Sequence, residues 1–476
     1  MTYQTVTKDI VEDLKKIVGK DNVFSDPDSM EAYSHDEFSL KDIAHLPDVV
    51  VRPGNTNEVA AVLRLADNLR IPVTPRGGAT GLCGGCVPDH GGIVLSLERM
   101  NAVIEIDTVN QMAVVEAGLT LHDFYKAVEE KGLFFPAHPG EESAMLGGCA
   151  ATNAGGARAV KHGVLRNHIR GLEVVLPSGD IIHPGGKLMK SSTGYSLLNL
   201  FIGSEGTLGV ITRLTVQLMP KPPASRTLVI PFDGLEPAIE TVPLIIGAGI
   251  IPLAVEFVPR DVIRITEKAL NKTWPAREGD TYLMIILDAE SPDAMERLSE
   301  AVAEICLEKG ALDVFVADSP QKQDQVLTIR SKIYEAIKSE TLEILDIVVP
   351  RGEIAAHVKR VREVAKKYDI WLPTFGHAAD GNVHTHIMKV RLEGETLVPL
   401  PEEEWAEKMD RVREELYNDC RLRKGKISGE HGIGLVKKPY LSYVLEEKEI
   451  ELMRGIKRLF DPNAILNPGK IFDMIP

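Results

Sequence analysis

The order of apolar and polar positions along the chain predicts alternating short strands and amphipathic helices. The spacing predicts one helix over residues 8–18 and a second over 55–69, capped by Asn55 or Thr56. From Pro47 onward, short apolar runs alternate with helical patterns and glycine-rich turns, which is typical of an α+β domain. The first half of the chain is therefore predicted to be an α+β domain.

A proline cluster at residues 220–223 marks a predicted domain boundary. Beyond it, apolar runs alternate with helical patterns. The predicted strands are 228–232, 254–258 and 282–289, and the predicted helices are 236–248, 260–270, 292–308 and 403–424. This order favours a sheet with helices on one face. We divide the chain into residues 1–220, 221–424 and 425–476.

The composition excludes some partners and locations. The chain has 476 residues, 44% hydrophobic and 26% charged, as in ordinary soluble globular proteins. A net charge of −15 argues against a nucleic-acid partner, because phosphate binding requires a basic face. No apolar run approaches the ~20 residues that span a bilayer, and the N-terminus lacks a signal-peptide pattern. We therefore expect a cytoplasmic protein. Its cysteines are expected to be reduced, with Cys83 and Cys86 as small packing residues rather than a redox or metal pair.

The loop over residues 75–85 contains five glycines in nine positions and follows the apolar run 71–74. Such a loop can bring bare backbone N–H groups against an anion. No helix can start directly after it, which excludes the dinucleotide fingerprint, and no Gly-Lys-Ser/Thr closes it, which excludes a P-loop. A phosphate cradle between two strands remains, with a purely structural turn as the alternative.

Three histidines, His377, His384 and His386, fall within ten residues, although the whole chain has only 13. His384 and His386 would share one side of a strand, and a turn at 380–382 would return His377 beside His384. Two imidazoles so placed suit one divalent cation, with Glu430 as the candidate carboxylate. The alternative is a set of structural histidines hydrogen-bonded around the turn.

Several ordered motifs accompany the glycine loop, at residues 139–148, 151–156, 171–180 and 203–212. Together they resemble the FAD-binding domain of the vanillyl-alcohol oxidase / p-cresol methylhydroxylase family, and the C-terminal half continues the likeness. The strongest likeness is to its branch of glycolate oxidase flavin subunits, D-lactate dehydrogenases and D-2-hydroxyglutarate dehydrogenases. This resemblance implies a two-part FAD-binding domain, an antiparallel-sheet cap domain, and a tail that packs back on the FAD domain.

The resemblance also implies FAD as the cofactor. Some relatives link the flavin through a histidine in the first loop, and because this loop has none, noncovalent FAD is expected. The residues expected to contact FAD are Pro75, Arg76, Gly77, Gly78, Ala79, Thr80, Gly81 and Leu82 around the pyrophosphate, Pro139, Gly140, Gly148, Thr152, Asn153 and Gly155 along the ring and ribityl chain, and Ile211 at the adenine half.

The metal-dependent relatives imply a zinc ion, or iron or manganese, held by His377, His384 and Glu430. His431 follows Glu430 directly, and an imidazole with a pKa near neutrality suits a general base for an alcohol proton. By resemblance, Arg330 is the arginine that binds the substrate carboxylate, and Tyr334, one helical turn on, shares its face. His386 stands where relatives often carry another polar residue, so it is assigned either to the pocket or to the metal.

The expected activity is FAD-dependent, metal-assisted oxidation of a D-2-hydroxy acid, with hydride passing to flavin N5. An isoleucine within residues 343–350, where relatives acting on dicarboxylic acids often carry lysine, favours D-lactate first and glycolate next.

The chain shows neither an NAD fingerprint nor an iron–sulfur cysteine run, so electrons are expected to leave to an electron-transfer flavoprotein, an iron–sulfur subunit or a quinone. A homodimer or a hetero-complex is compatible with this expectation. The alternatives are a metal-dependent hydrolase and a non-catalytic flavin electron-transfer subunit.

Overall fold

A computed structural model describes residues 2–38, 40–394 and 396–474. The helices are α1 Lys8–Val18, α2 Pro27–Met30, α3 Thr56–Leu69, α4 Leu121–Glu129, α5 Leu146–Thr152, α6 Ala159–His162, α7 Leu198–Phe201, α8 Leu235–Gly247, α9 Arg260–Leu270, α10 Pro292–Glu308, α11 Pro320–Ser331, α12 Ile333–Ile337, α13 Ile354–Tyr368, α14 Glu402–Leu422 and α15 Glu447–Phe460.

The strands are β1 Val23–Phe24, β2 Val49–Val51, β3 Val73–Arg76, β4 Ile93–Ser96, β5 Val103–Asp107, β6 Met112–Glu116, β7 Leu133–Phe134, β8 Ile169–Val175, β9 Ile181–Ile182, β10 Val210–Gln217, β11 Met219–Pro220, β12 Ala224–Phe232, β13 Ala254–Pro259, β14 Thr281–Ala289, β15 Phe315–Ala317, β16 Thr341–Val348, β17 Thr374–His377, β18 Asn382–Met388, β19 Val390–Glu393 and β20 Thr396–Pro399.

The chain divides into two compact units. Unit 1 consists of Met1–Gly155, Val164–Lys221 and Glu430–Pro476, and unit 2 consists of Gly156–Gly163 and Pro222–Gly429. Within the described part of the chain, the structure contains no helix with the length and apolar character needed to cross a bilayer.

Unit 1 contains two main sheets. In the four-stranded sheet β1-β2-β4-β3, strands β2, β4 and β3 run parallel and β1 is antiparallel. The five-stranded sheet β5-β6-β10-β8-β9 is antiparallel throughout. The glycine-rich loop joins β3 to the neighbouring parallel strand β4 without an intervening helix. The prediction of a two-part α+β domain with a loop between strands is confirmed.

The two predicted N-terminal helices are confirmed in unit 1. Helix α1 ends at Val18 and is followed by the capping residue Gly19, whose positive φ of 86° glycine adopts without strain. Helix α3 is capped by Asn55, whose side chain accepts a hydrogen bond of 3.1 Å from the Glu58 N–H. The buried side chains Leu14 and Leu63 come from the apolar faces of these helices and join the core around β2, β3 and β4.

Unit 2 is built on a seven-stranded sheet with the order β15-β12-β14-β13-β17-β18-β16, in which every pairing is antiparallel. The strands and helices predicted between residues 228 and 308, and the helix predicted over 403–424, are confirmed to within a few residues. The predicted antiparallel-sheet domain is therefore confirmed.

Helices cover both faces of this sheet, so the prediction of helices on one face is corrected. Val229 and Met284 belong to a core shared with α9, α11 and α12. Their neighbours Leu228 and Leu283, which point to the opposite face, are also fully buried, and α8 and α10 pack against the same strands. The physical reason is that the central strands are almost continuously apolar, as strands buried on both faces are.

Candidate active site

Unit 1 contains a cavity of about 340 Å³ next to the glycine-rich loop. Most of the residues expected to contact FAD line this cavity: Pro75, Arg76, Gly77, Gly78, Ala79, Thr80, Gly81, Leu82, Pro139, Gly140, Gly148, Thr152 and Ile211. Among the described residues, Asn153 and Gly155 do not line it. The Asn153 side chain instead accepts a hydrogen bond from the Arg166 N–H at 3.0 Å.

The Arg76 side chain attaches the start of the glycine-rich loop to neighbouring segments of the chain. Its guanidinium donates hydrogen bonds to the carbonyl oxygens of His35 at 2.7 Å and Ala32 at 2.6 Å, and to the Cys86 sulfur at 3.4 Å. The Arg76 guanidinium is already hydrogen-bonded to these protein groups. The groups that the loop offers to an anion are therefore its backbone N–H groups.

Asp36 holds the far end of the same loop. Its carboxylate accepts hydrogen bonds from the Gly84 N–H at 2.7 Å and the Phe38 N–H at 3.1 Å. Burial raises the pKa of Asp36 to about 6, against the opposing effect of these hydrogen bonds and of Arg76. The loop is thus braced by two buried charged side chains that sequence reasoning had not assigned this role.

Glu430 and His431 line the same cavity. Glu430 packs against Gly155, where a Cβ would lie 2.8 Å from its Oε2 oxygen and 3.3 Å from its Cβ, so the glycine leaves room for this close packing. The predicted metal ligand and the predicted base therefore share a wall with the predicted flavin loop, within one unit.

The segment that follows His431 is fastened to the flavin loop. The buried carboxylate of Glu205 accepts hydrogen bonds from the N–H groups of Ile433 at 2.7 Å and Gly434 at 2.8 Å. The Cys83 carbonyl accepts one from the Leu435 N–H at 2.8 Å, and a Cβ at Gly434 (φ 54°) would lie 2.0 Å from that carbonyl oxygen. The main chains of the two loops touch.

In unit 2, β17 and β18 form the hairpin that the histidine spacing predicts. His377 pairs with Asn382 across it, and the rings of His377 and His384 are nearly perpendicular, with centroids 5.3 Å apart. His386 lies further along and stacks on Phe375, with centroids 4.9 Å apart. All three histidines are buried.

Two buried carboxylates that sequence reasoning missed face these imidazoles. Glu256 on β13 lies 2.5 Å from His377 Nδ1, and Asp346 on β16 lies 3.6 Å from His384 Nδ1. Each is an acidic residue inside an apolar run, which is the only signal that could have marked it. Burial acts to raise the pKa of Glu256, but His377 and then Arg330 outweigh it and lower that pKa to about 2.

Asp346 also fixes the end of unit 2. It accepts hydrogen bonds from Asn382 Nδ2 at 2.7 Å, Ser428 Oγ at 2.8 Å and the Gly429 N–H at 2.9 Å. Glu430 follows Gly429 by one peptide bond. The backbone that leads to Glu430 is therefore held by the same carboxylate that faces His384.

Arg330 and Tyr334 both lie beside the Phe375–His386 pair. The Arg330 guanidinium carbon lies 5.1 Å from the centre of the Phe375 ring, and the Tyr334 ring lies 5.9 Å from that of His386. The helix breaks between them at Lys332, where α11 ends and α12 begins, so they do not share one continuous helix. Both side chains nevertheless lie beside the same pair of aromatic rings.

Comparison with known proteins identifies the family. The model of an FAD binding domain matches residues 47–185, and the model described as FAD linked oxidases, C-terminal domain, matches residues 221–471. The chain belongs to the FAD-linked oxidase family. The resemblance found in the sequence is thus confirmed.

Full-length relatives of this FAD-linked oxidase include a D-lactate dehydrogenase of Anaerostipes hadrus, 40% identical and covered to 98% in both chains. The glycolate oxidase subunit GlcD of Bacillus subtilis is 37% identical, with 98% of this chain and 97% of that one covered. The crystal structure of p-cresol methylhydroxylase with substrate bound has a TM-score of 0.79 at 18% identity, covering 100% of this chain and 99% of that one. This last likeness concerns the fold.

Proposed function

We propose that this FAD-linked oxidase oxidises a D-2-hydroxy acid, D-lactate first and glycolate next, to the 2-oxo acid. The observation that carries the proposal is that Glu430 and His431 line the same cavity as the glycine-rich loop. Full-length relatives named for D-lactate and glycolate oxidation support this choice of substrate.

The cavity fits noncovalent FAD. The loop from Arg76 to Leu82 has little side-chain bulk, so its backbone N–H groups can surround a pyrophosphate. Glycines at 140 and 148 leave room for a flat ring and its ribityl chain. When bound, FAD supplies the hydride-accepting isoalloxazine. The chain's own part is to hold that ring and to keep water from it.

His377, His384 and Glu430 are the residues that would hold a divalent cation, with zinc as the first choice. Carboxylate groups face Nδ1 of both histidines, an arrangement that orients metal-binding imidazoles with Nε2 toward the ion. A bound cation would lower the pKa of a substrate hydroxyl.

The remaining steps belong to protein side chains. Arg330 binds the substrate carboxylate through its planar guanidinium. Tyr334 and His386 border the same aromatic cluster. His431 accepts the proton of the C2 hydroxyl. FAD, when bound, would supply the acceptor for the C2 hydrogen as hydride, so that the C–O single bond becomes a carbonyl. One proton and one hydride leave together, and the acid remains otherwise unchanged.

The reduced protein then passes its electrons to a separate acceptor, which we propose is an electron-transfer flavoprotein, an iron–sulfur subunit or a quinone. The absence of an NAD fingerprint from the sequence supports this route.

Anaerobic mixing of the FAD-loaded protein with D-lactate, L-lactate and glycolate tests the proposal. We expect flavin bleaching with D-lactate, slower bleaching with glycolate and none with L-lactate. A protein that binds FAD but bleaches with none of them would instead be a non-catalytic electron-transfer subunit. A metal-dependent hydrolase would likewise show no bleaching, and it would not require FAD.

A further inference from the structure

Glu256 is a buried carboxylate in the middle of the apolar strand β13. Its side chain is 1% exposed, and its neighbours Val255 and Phe257 are fully apolar. A buried charge is costly unless it is paired, and an apolar residue would fill the same space at lower cost. The residues that pair with Glu256 therefore explain why a carboxylate occupies this position.

The two oxygens of Glu256 serve two different residues. Oε1 lies 2.5 Å from His377 Nδ1, and Oε2 accepts a hydrogen bond from Arg330 Nη2. These are the proposed metal-binding histidine and the proposed substrate-binding arginine. One carboxylate group thus connects the two ends of the proposed substrate site within unit 2.

The contact with His377 fixes the tautomer of that ring. A carboxylate only accepts hydrogen bonds, so the proton stays on Nδ1 and the lone pair stays on Nε2. The ring can then offer Nε2 to a cation, and its orientation is set by β13 pairing with β17, where Glu256 is opposite His377.

The contact with Arg330 fixes the position of the guanidinium while leaving donors unused. Arg330 carries five N–H donors, and the buried Nε–H finds no acceptor among the described residues. Phe375 supports the guanidinium on its face. The group is therefore held in place but retains hydrogen-bonding capacity for a carboxylate ligand.

We propose that Glu256 is a positioning residue that sets the spacing between Arg330 and His377, and so selects acids whose hydroxyl and carboxylate lie on adjacent carbons. The inference deepens the proposed function and rests on it. A single carboxylate contacts both groups, so the position of each one depends on the same side chain. A 3-hydroxy acid, whose hydroxyl and carboxylate are one carbon further apart, would require a larger spacing between the two groups.

The test is Glu256→Gln in the FAD-loaded protein. Glutamine has the same shape, but its side-chain oxygen can accept a hydrogen bond from only one of the two partners. Its NH₂ group would face the donor of the other partner. We expect the affinity of metal-stripped holoenzyme for Co²⁺ to fall about 10- to 100-fold. We also expect the KM for D-lactate to rise more than kcat falls, and the preference for D-lactate over D-3-hydroxybutyrate to shrink.

Glu343→Gln is the matched control. Glu343 is another buried glutamate of unit 2 that accepts a hydrogen bond from an arginine, Arg413, but it stands on β16. Removing its charge should change thermal stability while leaving Co²⁺ affinity and substrate preference at wild-type values.

Glu256→Asp keeps the charge but shortens the side chain, so it reaches only one of the two partners, and we expect it to lower affinity and selectivity too. Wild-type Co²⁺ affinity and wild-type preference in both Glu256 variants would overturn the inference while the proposed function stood. If the wild-type holoenzyme bleached with D-lactate but bound no Co²⁺, the metal part of the proposed function would fail, and the inference with it.

Discussion

Adjacent residues of this chain carry different parts of the proposed chemistry. Glu430 offers a carboxylate and His431 an imidazole, and both line the cavity beside the glycine-rich loop. The histidines at 377 and 384 could be found from sequence because their spacing predicts a hairpin. Glu256 could not, because one acidic residue in an apolar strand has no periodic partner, and His377 is 121 positions away.

We predict that His431→Gln lowers the rate of flavin bleaching by D-lactate by about 10²- to 10⁴-fold, the usual contribution of a general base. Glutamine keeps a polar side chain of similar size but cannot take up the hydroxyl proton. Stopped-flow absorbance of the flavin measures the rate, and FAD content should not change. His183→Gln, which alters an exposed histidine that pairs with Glu173, should bleach at the wild-type rate. A His431→Gln protein as fast as wild type would remove this residue from the mechanism.

At the level of structural elements, the glycine-rich loop contacts the segment that follows His431. The glycine-rich loop could be predicted from its composition, and so could its place between two strands. Its attachment to the segment after His431 could not, because Cys83 and Gly432 are 349 positions apart and join only through tertiary contacts. The break between α11 and α12 also lacks a proline or glycine in the sequence at that point, so a continuous helix was the natural expectation.

We predict that Glu205→Gln loosens the segment after His431. The glutamate accepts from two backbone N–H groups, whereas a glutamine oxygen can serve only one and its NH₂ group opposes the other. Losing a buried hydrogen bond to a charged group costs about 1.5–3 kcal/mol, so hydrogen exchange at Ile433 and Gly434 should accelerate by about 10- to 100-fold.

The exposed residue Glu142, which lies beside His122, supplies the control for that measurement. Glu142→Gln should leave exchange at Ile433 and Gly434 unchanged. Unchanged exchange in the Glu205 variant as well would show that the Cys83 contacts alone hold the segment.

At the scale of the whole molecule, the family motifs predicted the fold class, whereas the path of the chain between the units needed the structure. Residues 156–163 leave unit 1 and belong to unit 2. Gly156 and Gly163 bound this excursion, with φ values of 115° and 80° that favour glycine. In the sequence these glycines could not be told apart from those of the flavin motifs around them.

Asp36 makes the stability of the molecule depend on pH in an unusual direction. Its folded pKa is about 6, above the ordinary value of 3.8, because burial favours the neutral form. Well below pH 3.8 both folded and unfolded states are protonated, and the full contribution to stability is present. As the pH rises from about 4 to about 6, the unfolded state ionises first, so stability falls, by on the order of 3 kcal/mol in total.

Asp36→Asn should abolish this dependence, because asparagine does not titrate. We expect the difference in thermal midpoint between wild type and Asp36→Asn, measured on FAD-free protein, to favour wild type more at pH 4 than at pH 7. A difference that stays constant across that range would contradict this prediction. Such a constant difference for Asp36→Asn would mean that Asp36 is already ionised in the folded protein at pH 4. Its two backbone hydrogen bonds would then outweigh the cost of burying its charge, and the flavin loop would carry a negative charge at every working pH.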